Sequence, residues 1–163
     1  MKIKCIILFL LITSSAFGQI NYEDESLRGL KGVFVIIEGL SPDIEADGLK
    51  KEQIQTDVEL KLRLAGIQVI SQEEWMNDTG GACLYVNVND VKTKTDIYSF
   101  IVSVEFSQSV YLVRDPKIFS HGITWNVGTI GTVGKQYVSN YVRETIRDYV
   151  DEFINDYLSV NPK

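Results

Sequence analysis

Residues 97–114 read IYSFIVSVEFSQSVYLVR. Tyr98, Phe100, Val102, Val104, Phe106, Val110 and Leu112 recur at period two, and Ser99, Ser103, Glu105, Ser107 and Ser109 fall between them. That alternation specifies a long β-strand with one buried face and one wetted face, as in an antiparallel sheet covered on a single side.

The neighbouring segments extend the sheet. Upstream, residues 82–91 alternate Leu84, Val86 and Val88 with Tyr85, Asn87 and Asn89, and 90–96 (DVKTKTD) is the turn between the two strands. Downstream, Asp115-Pro116-Lys117 marks a reversal, and residues 122–128 place Ile123, Trp125 and Val127 on one face of a further strand. Gly128, Gly131 and Gly134 then read as a flexible joint. The chain closes on an amphipathic helix over 136–160, with an apolar stripe through Val138, Val142, Ile146, Val150 or Tyr149, Phe153 and Tyr157. Tyr137, Tyr141 and Tyr149 enrich the same helix in rings that suit a core edge or the rim of a ligand groove.

The N-terminal half supplies a strand, a helix and a strand. Residues 32–39 (GVFVIIEG) form an unbroken β-branched and aromatic run, the pattern of a central strand buried on both faces. Residues 49–65 repeat Ile54, Val58, Leu62 and Ala65 at helical spacing, with Leu60 and Leu64 widening the apolar face. Gly66 stands where a left-handed cap is expected, and a strand over 67–70 follows, parallel to the first by a right-handed crossover. Ser71 and Glu74 form a capping-box pair for a short helical turn. The expected fold is therefore α+β: a two-layer sandwich with a mixed, mostly antiparallel sheet of about five strands in the order β-α-β-β-β-β-α and two helices on one face. A single domain spans 32–160, after a flexible lead-in over 19–31.

Residues 1–18 (MKIKCIILFLLITSSAFG) join a basic start, an apolar run and small residues before Gln19, the pattern of a secretory signal peptide. The apolar run is shorter than the ~20 residues of a spanning helix. The mature chain is then exported, periplasmic or secreted, with no integral membrane span and Cys83 as its one cysteine, a buried apolar thiol without a disulfide partner. Loss of Lys2 and Lys4 makes the net charge more negative than the −6 of the full chain. An acidic chain without a Lys/Arg cluster is not suited to nucleic acid.

The residues available for chemistry are few. His121, the sole histidine, sits in SHG beside a turn with no GxSxG elbow, and it reads as an edge residue and not a general base. One histidine and one cysteine do not make a zinc site of the usual ligand count. Asp43, Glu45, Asp47 and Gly48 mimic the start of an EF-hand calcium loop, but the twelfth position, a bidentate Glu in such loops, is Ile54. The bland reading is an acidic segment ahead of a helix. Glu105 lies among serines, where a solvated carboxylate is ordinary. No catalytic, metal or cofactor residue is assigned, and the chain reads as a non-enzyme.

Residues 57–69, DVELKLRLAGIQV, resemble a phrase of small exported bacterial domains in which a helix ends in L-x-x-A-G-I-x-V and runs into a strand. The element order from Gly32 onward is similar to the TolB amino-terminal, CsgG and LpoB kind of domain. That resemblance implies an envelope assembly or accessory role without an active site. No functional residue carries over, and the lipid-acceptor cysteine of the lipoproteins among them is absent. The expected function is an exported, non-enzymatic binding or accessory protein of the bacterial cell envelope, acting on another envelope protein through a sheet face or edge. The alternative is a small-molecule or glycan-binding, even hydrolytic, domain with a pocket between sheet and final helix, lined by Trp125, Tyr141 and Tyr149.

Overall fold

The computed structural model describes residues 22–162. In chain order its elements are α1 (Tyr22–Glu25), β1 (Phe34–Ile37), α2 (Pro42–Ala46), α3 (Lys51–Leu64), α4 (Gln72–Asn77), β2 (Cys83–Lys92), β3 (Ile97–Leu112), β4 (Asp115–Gly134) and α5 (Lys135–Val160). The signal-peptide reading of 1–18 and the first residues of the lead-in lie outside the described residues. Among the described residues no helix is long and apolar enough to cross a membrane.

The fold is α+β, with one open, mixed four-stranded sheet in the order β1-β2-β3-β4. β1 and β2 run parallel, and β2-β3-β4 is an antiparallel meander. Tyr98, Phe100, Val102, Val104 and Phe106 are buried, as the period-two pattern requires, whereas Val110 and Leu112, expected on the same face, are only partly buried because the strand runs out past the helices there. The buried side chains face α3 and α5, whose Ile54, Val58, Leu62, Val138, Val142, Ile146, Val150 and Phe153 complete the core. Two ion pairs join the helices on their outer side, Arg143 to Asp57 at 2.7 Å and Lys61 to Asp151. Gly66 has φ 85°, as a left-handed helix end demands. Leu60 and Leu64, expected to widen the buried stripe of α3, are exposed.

Several expectations are corrected. The strand over 67–70 shrinks to one parallel bridge, Val33 to Val69, because the capping box at Ser71 turns the chain into α4 at once. β1 is therefore an edge strand and not a central one, and only Val35 and Ile37 of it are buried. The segment read as a mobile lead-in packs against the domain from Tyr22 on. Leu27 is fully buried, Arg28 donates to the Val160 carbonyl at 3.0 Å, and the Asn161 amide holds both the Leu27 carbonyl and the Gly29 N–H.

The β3–β4 hairpin turns two residues earlier than Asp115-Pro116-Lys117, with Leu112 opposite Asp115. Gly128, Gly131 and Gly134 are not a joint but paired strand residues of β4. At Gly131 the Phe100 ring lies where a side chain would stand, since a Cβ there would come within 2.5 Å of it. Finally, Phe106 pairs with Trp125 while Ser107 pairs with Ile123, which makes Thr124 the extra residue of a β-bulge. Ile123 therefore faces away from Trp125, onto the side of the sheet opposite α3 and α5.

Asp47 locks one end of the sandwich. Its carboxylate accepts from Lys92 Nζ at 2.6 Å and from the Tyr98 hydroxyl at 2.6 Å, and it meets Lys135 Nζ at 3.2 Å. The Lys92 ammonium first, then Tyr98 and Lys135, hold this carboxyl well below the usual carboxylate range, and the Tyr98 phenol is pushed up to about 12, chiefly by burial. The calcium-like reading fails here for a physical reason: Asp47 is occupied by two lysines, and Asp43 and Glu45 sit on a short helix instead of a loop.

Candidate functional site

α4 and the far end of the β3–β4 hairpin enclose a groove on the face of the sheet opposite α3 and α5. The capping box sets α4 in place: Ser71 Oγ accepts from the Glu74 N–H at 3.2 Å, and Glu74 Oε2 accepts from the Ser71 N–H at 2.7 Å. This turn lays Trp75 over Phe34, stacked with centroids 5.2 Å apart and planes at 27°. Trp75 Nε1 is buried and has no acceptor among the described residues.

The loop after α4 is pinned to β3 by the Ser109 N–H, which donates to the Gly80 carbonyl at 2.8 Å. Gly81 has φ 58°, and a Cβ there would stand 2.6 Å from His121 Cε1, so the imidazole packs directly on this glycine. The resulting groove has a volume of about 750 Å³, with Trp75, Met76, Tyr111, Phe119 and His121 as its larger side chains. Asp78 is its one acidic side chain, and no Lys or Arg lines it. Met76, Tyr111 and Phe119 are each about 70% exposed, and Ile123, exposed on the same face, extends the apolar surface past the groove itself. A second cavity of about 370 Å³, with Lys31, Glu74 and Gln108 in its wall, shares Asp78, Thr79 and Gly80 with the first.

Ser109 and His121 are cross-strand partners in β3 and β4, and Asp78 lines the same groove. These are the residue types of a hydrolytic triad. No hydrogen bond joins the side chains of Ser109, His121 and Asp78 in this arrangement, although His121 and Ser109 both approach Gly81. Cys83 is elsewhere in β2, where burial pushes its thiol up to about 11, away from the thiolate form.

The three residues expected to line a pocket under the final helix are placed apart. Trp125 is 2% exposed, with its indole N–H on Asp156 Oδ2 at 2.8 Å and its ring edge-to-face on Phe153 at 5.2 Å. Tyr141 packs on Phe100 with centroids 5.6 Å apart, six strand residues away from the Phe106–Trp125 pair. Tyr149 is half-buried against the core. None of them lines either cavity.

The groove residues were missed because they come from three separate segments. Two signals in the sequence could have found them: the Trp-Met pair inside a capped helical turn, and Tyr111 and Phe119 flanking the hairpin tip, where an isolated domain has no use for large rings.

No protein-family model matches the chain, and no curated protein matches it. Among solved structures it is similar to a minor lipoprotein from Acinetobacter baumannii, at 14% identity and a TM-score of 0.36, over 77% of this chain and 90% of that one.

Proposed function

We infer that the chain is an exported, non-enzymatic binding protein of the bacterial cell envelope, and that it holds a partner protein in the groove between α4 and the β3–β4 hairpin. Export rests on the pattern of residues 1–18. The reading is carried by one observation: three large apolar side chains, Met76, Tyr111 and Phe119, stand exposed around a preformed concave groove. Aromatic residues and Met are enriched at the centres of protein interfaces, and a contiguous exposed apolar patch on a domain with a complete core marks an interaction surface. The patch runs on past the groove to Ile123, which favours a protein over a small molecule that the groove alone would hold.

The test is photo-crosslinking in the living cell. A benzophenone amino acid replacing Phe119 or Tyr111 should give one discrete adduct, absent when it replaces Leu64, an equally exposed leucine on α3. Adducts of equal yield at all three positions, or none at the groove positions, would refute the reading.

A further inference from the structure

The two edges of the sheet are treated differently. β1 is four residues long and is flanked by the Val69 bridge, so that edge is short and covered. β4 is twenty residues long and, among the described residues, pairs with β3 alone. Natural sheets blunt such an edge with charges, prolines or bulges. β4 has all three only in its first half: Asp115, Pro116, Lys117 and the bulge at Thr124. From Trp125 to Gly134 the ladder with β3 is regular, and the sequence holds no charge and no proline.

A row of apolar side chains also runs out to this edge across the face opposite α3 and α5. Ile101 pairs with Ile130, and Val91 stands diagonally from Ile101 on β2, next to Asn89, the direct partner of Ile101; Ile101, Ile130 and Val91 are 46%, 78% and 69% exposed. The most exposed of the three is the one on the edge strand. On the helix side, Tyr141 lies against the Phe100 ring above Gly131 and is itself half exposed.

We propose that residues 125–134 of β4 pair antiparallel with the same residues of a second copy, joining two sheets into one eight-stranded sheet about a two-fold axis. A second copy is the occupant that this edge fits. Antiparallel pairing of a strand with itself is isologous, so each copy presents the same spacing of free N–H and C=O groups. A charge-free strand also lets two acidic chains approach without like charges on the seam strand itself, the nearest carboxylate, Glu105, standing one strand in, opposite Asn126. The apolar pair then continues across the seam, since Ile130 of each copy reaches the other's Ile130 and Ile101. This inference goes beyond the partner groove, which lies past the bulge in the other half of β4.

Sedimentation equilibrium on the protein purified after export tests it, with circular dichroism to confirm folding. The wild type should be a dimer in the micromolar range. Ile130→Lys, and separately Thr132→Lys, place a lysine on exposed positions of the seam, and each should weaken the dimer by at least about tenfold with the circular dichroism unchanged. Amide exchange over 125–134 should slow as protein concentration rises. Phe119→Ser, in the groove, should leave the dimer intact, so a lost partner adduct and a lost dimer are separable results. A monomer at about 100 μM, or a dimer insensitive to both lysines, would overturn the proposal. If a lysine variant is unfolded by circular dichroism, the concentration dependence of amide exchange in the wild type decides alone.

Discussion

Trp125 separates a residue that holds the fold from one that lines a ligand site. Trp125→Phe keeps an aromatic ring but removes the indole N–H and part of the buried surface. With the side chain 2% exposed, the lost area is about 40 Å², or about 1 kcal/mol of apolar burial at ~25 cal/mol per Å². The Nε1 hydrogen bond to Asp156 falls at the lower end of ~1.5–3 kcal/mol for a charged acceptor, because Asp156 is half-buried and water can replace the indole. A weakened edge-to-face contact with Phe153 removes about 0.5 kcal/mol more.

The expected loss is therefore about 2–3 kcal/mol, against about 3–5 kcal/mol for Trp125→Ala. Urea unfolding followed by far-ultraviolet circular dichroism should show a lower midpoint with the slope m unchanged. Asp156→Ala should cost about 1 kcal/mol in the wild type and almost nothing on top of Trp125→Phe, since both remove the same bond. Because the chain has two tryptophans, Trp75→Phe leaves Trp125 as the fluorophore, and its emission should be blue-shifted. A loss below about 0.5 kcal/mol for Trp125→Phe, or fully additive costs with Asp156→Ala, would refute the account of this side chain as core.

Two more predictions follow from the polar clusters. Asp47 has its folded pKa lowered by Lys92, Tyr98 and Lys135, so its contribution to stability is complete above the unfolded value of about 4 and is lost as the pH falls below it toward the folded value. The difference in melting temperature between wild type and Asp47→Asn should accordingly be largest near pH 6 and shrink below pH ~4; a difference constant from pH 6 to pH 2 would contradict the clamp. Ser109, without a hydrogen bond to His121, should not react with a fluorophosphonate probe at neutral pH; labelling that disappears in both Ser109→Ala and His121→Ala would establish a hydrolase where we infer a binding groove.

What could be read in the sequence was whatever obeys a local period. The buried face of β3 as far as Phe106, the buried face of α5, the Gly66 cap and the Ser71 capping box each follow from a few adjacent residues, and each is found where the pattern places it. Tertiary pairing set the remainder. The glycines of β4 look like a hinge until Phe100 is known to cross above Gly131, and residues 32–39 look doubly buried until α4 is known to cover only Phe34 on the second side. Trp125 and Tyr141 looked like partners in a pocket because both are large and amphipathic, and only the β3–β4 register shows them six strand residues apart.

The bulge at Thr124 accounts for the groove as well as for the missed face. An unbroken register would put Ile123 opposite Gln108, on the core side, and would carry His121 and Phe119 with it. The one extra residue, held by Gln108 Nε2 on Thr124 Oγ1 at 3.0 Å and by Ser26 Oγ on the Thr124 carbonyl at 3.3 Å, reverses that alternation for the whole distal half of β4. Ile123, His121 and Phe119 then stand with Ser107, Ser109 and Tyr111 on the face away from α3 and α5, beside Trp75 of α4. The same strand thus buries Trp125 in the core on one side of the bulge and presents apolar rings to solvent on the other. A domain built only to be stable would gain by burying those rings as well. That they are turned outward by a specifically braced irregularity is the strongest physical reason to place the binding surface there.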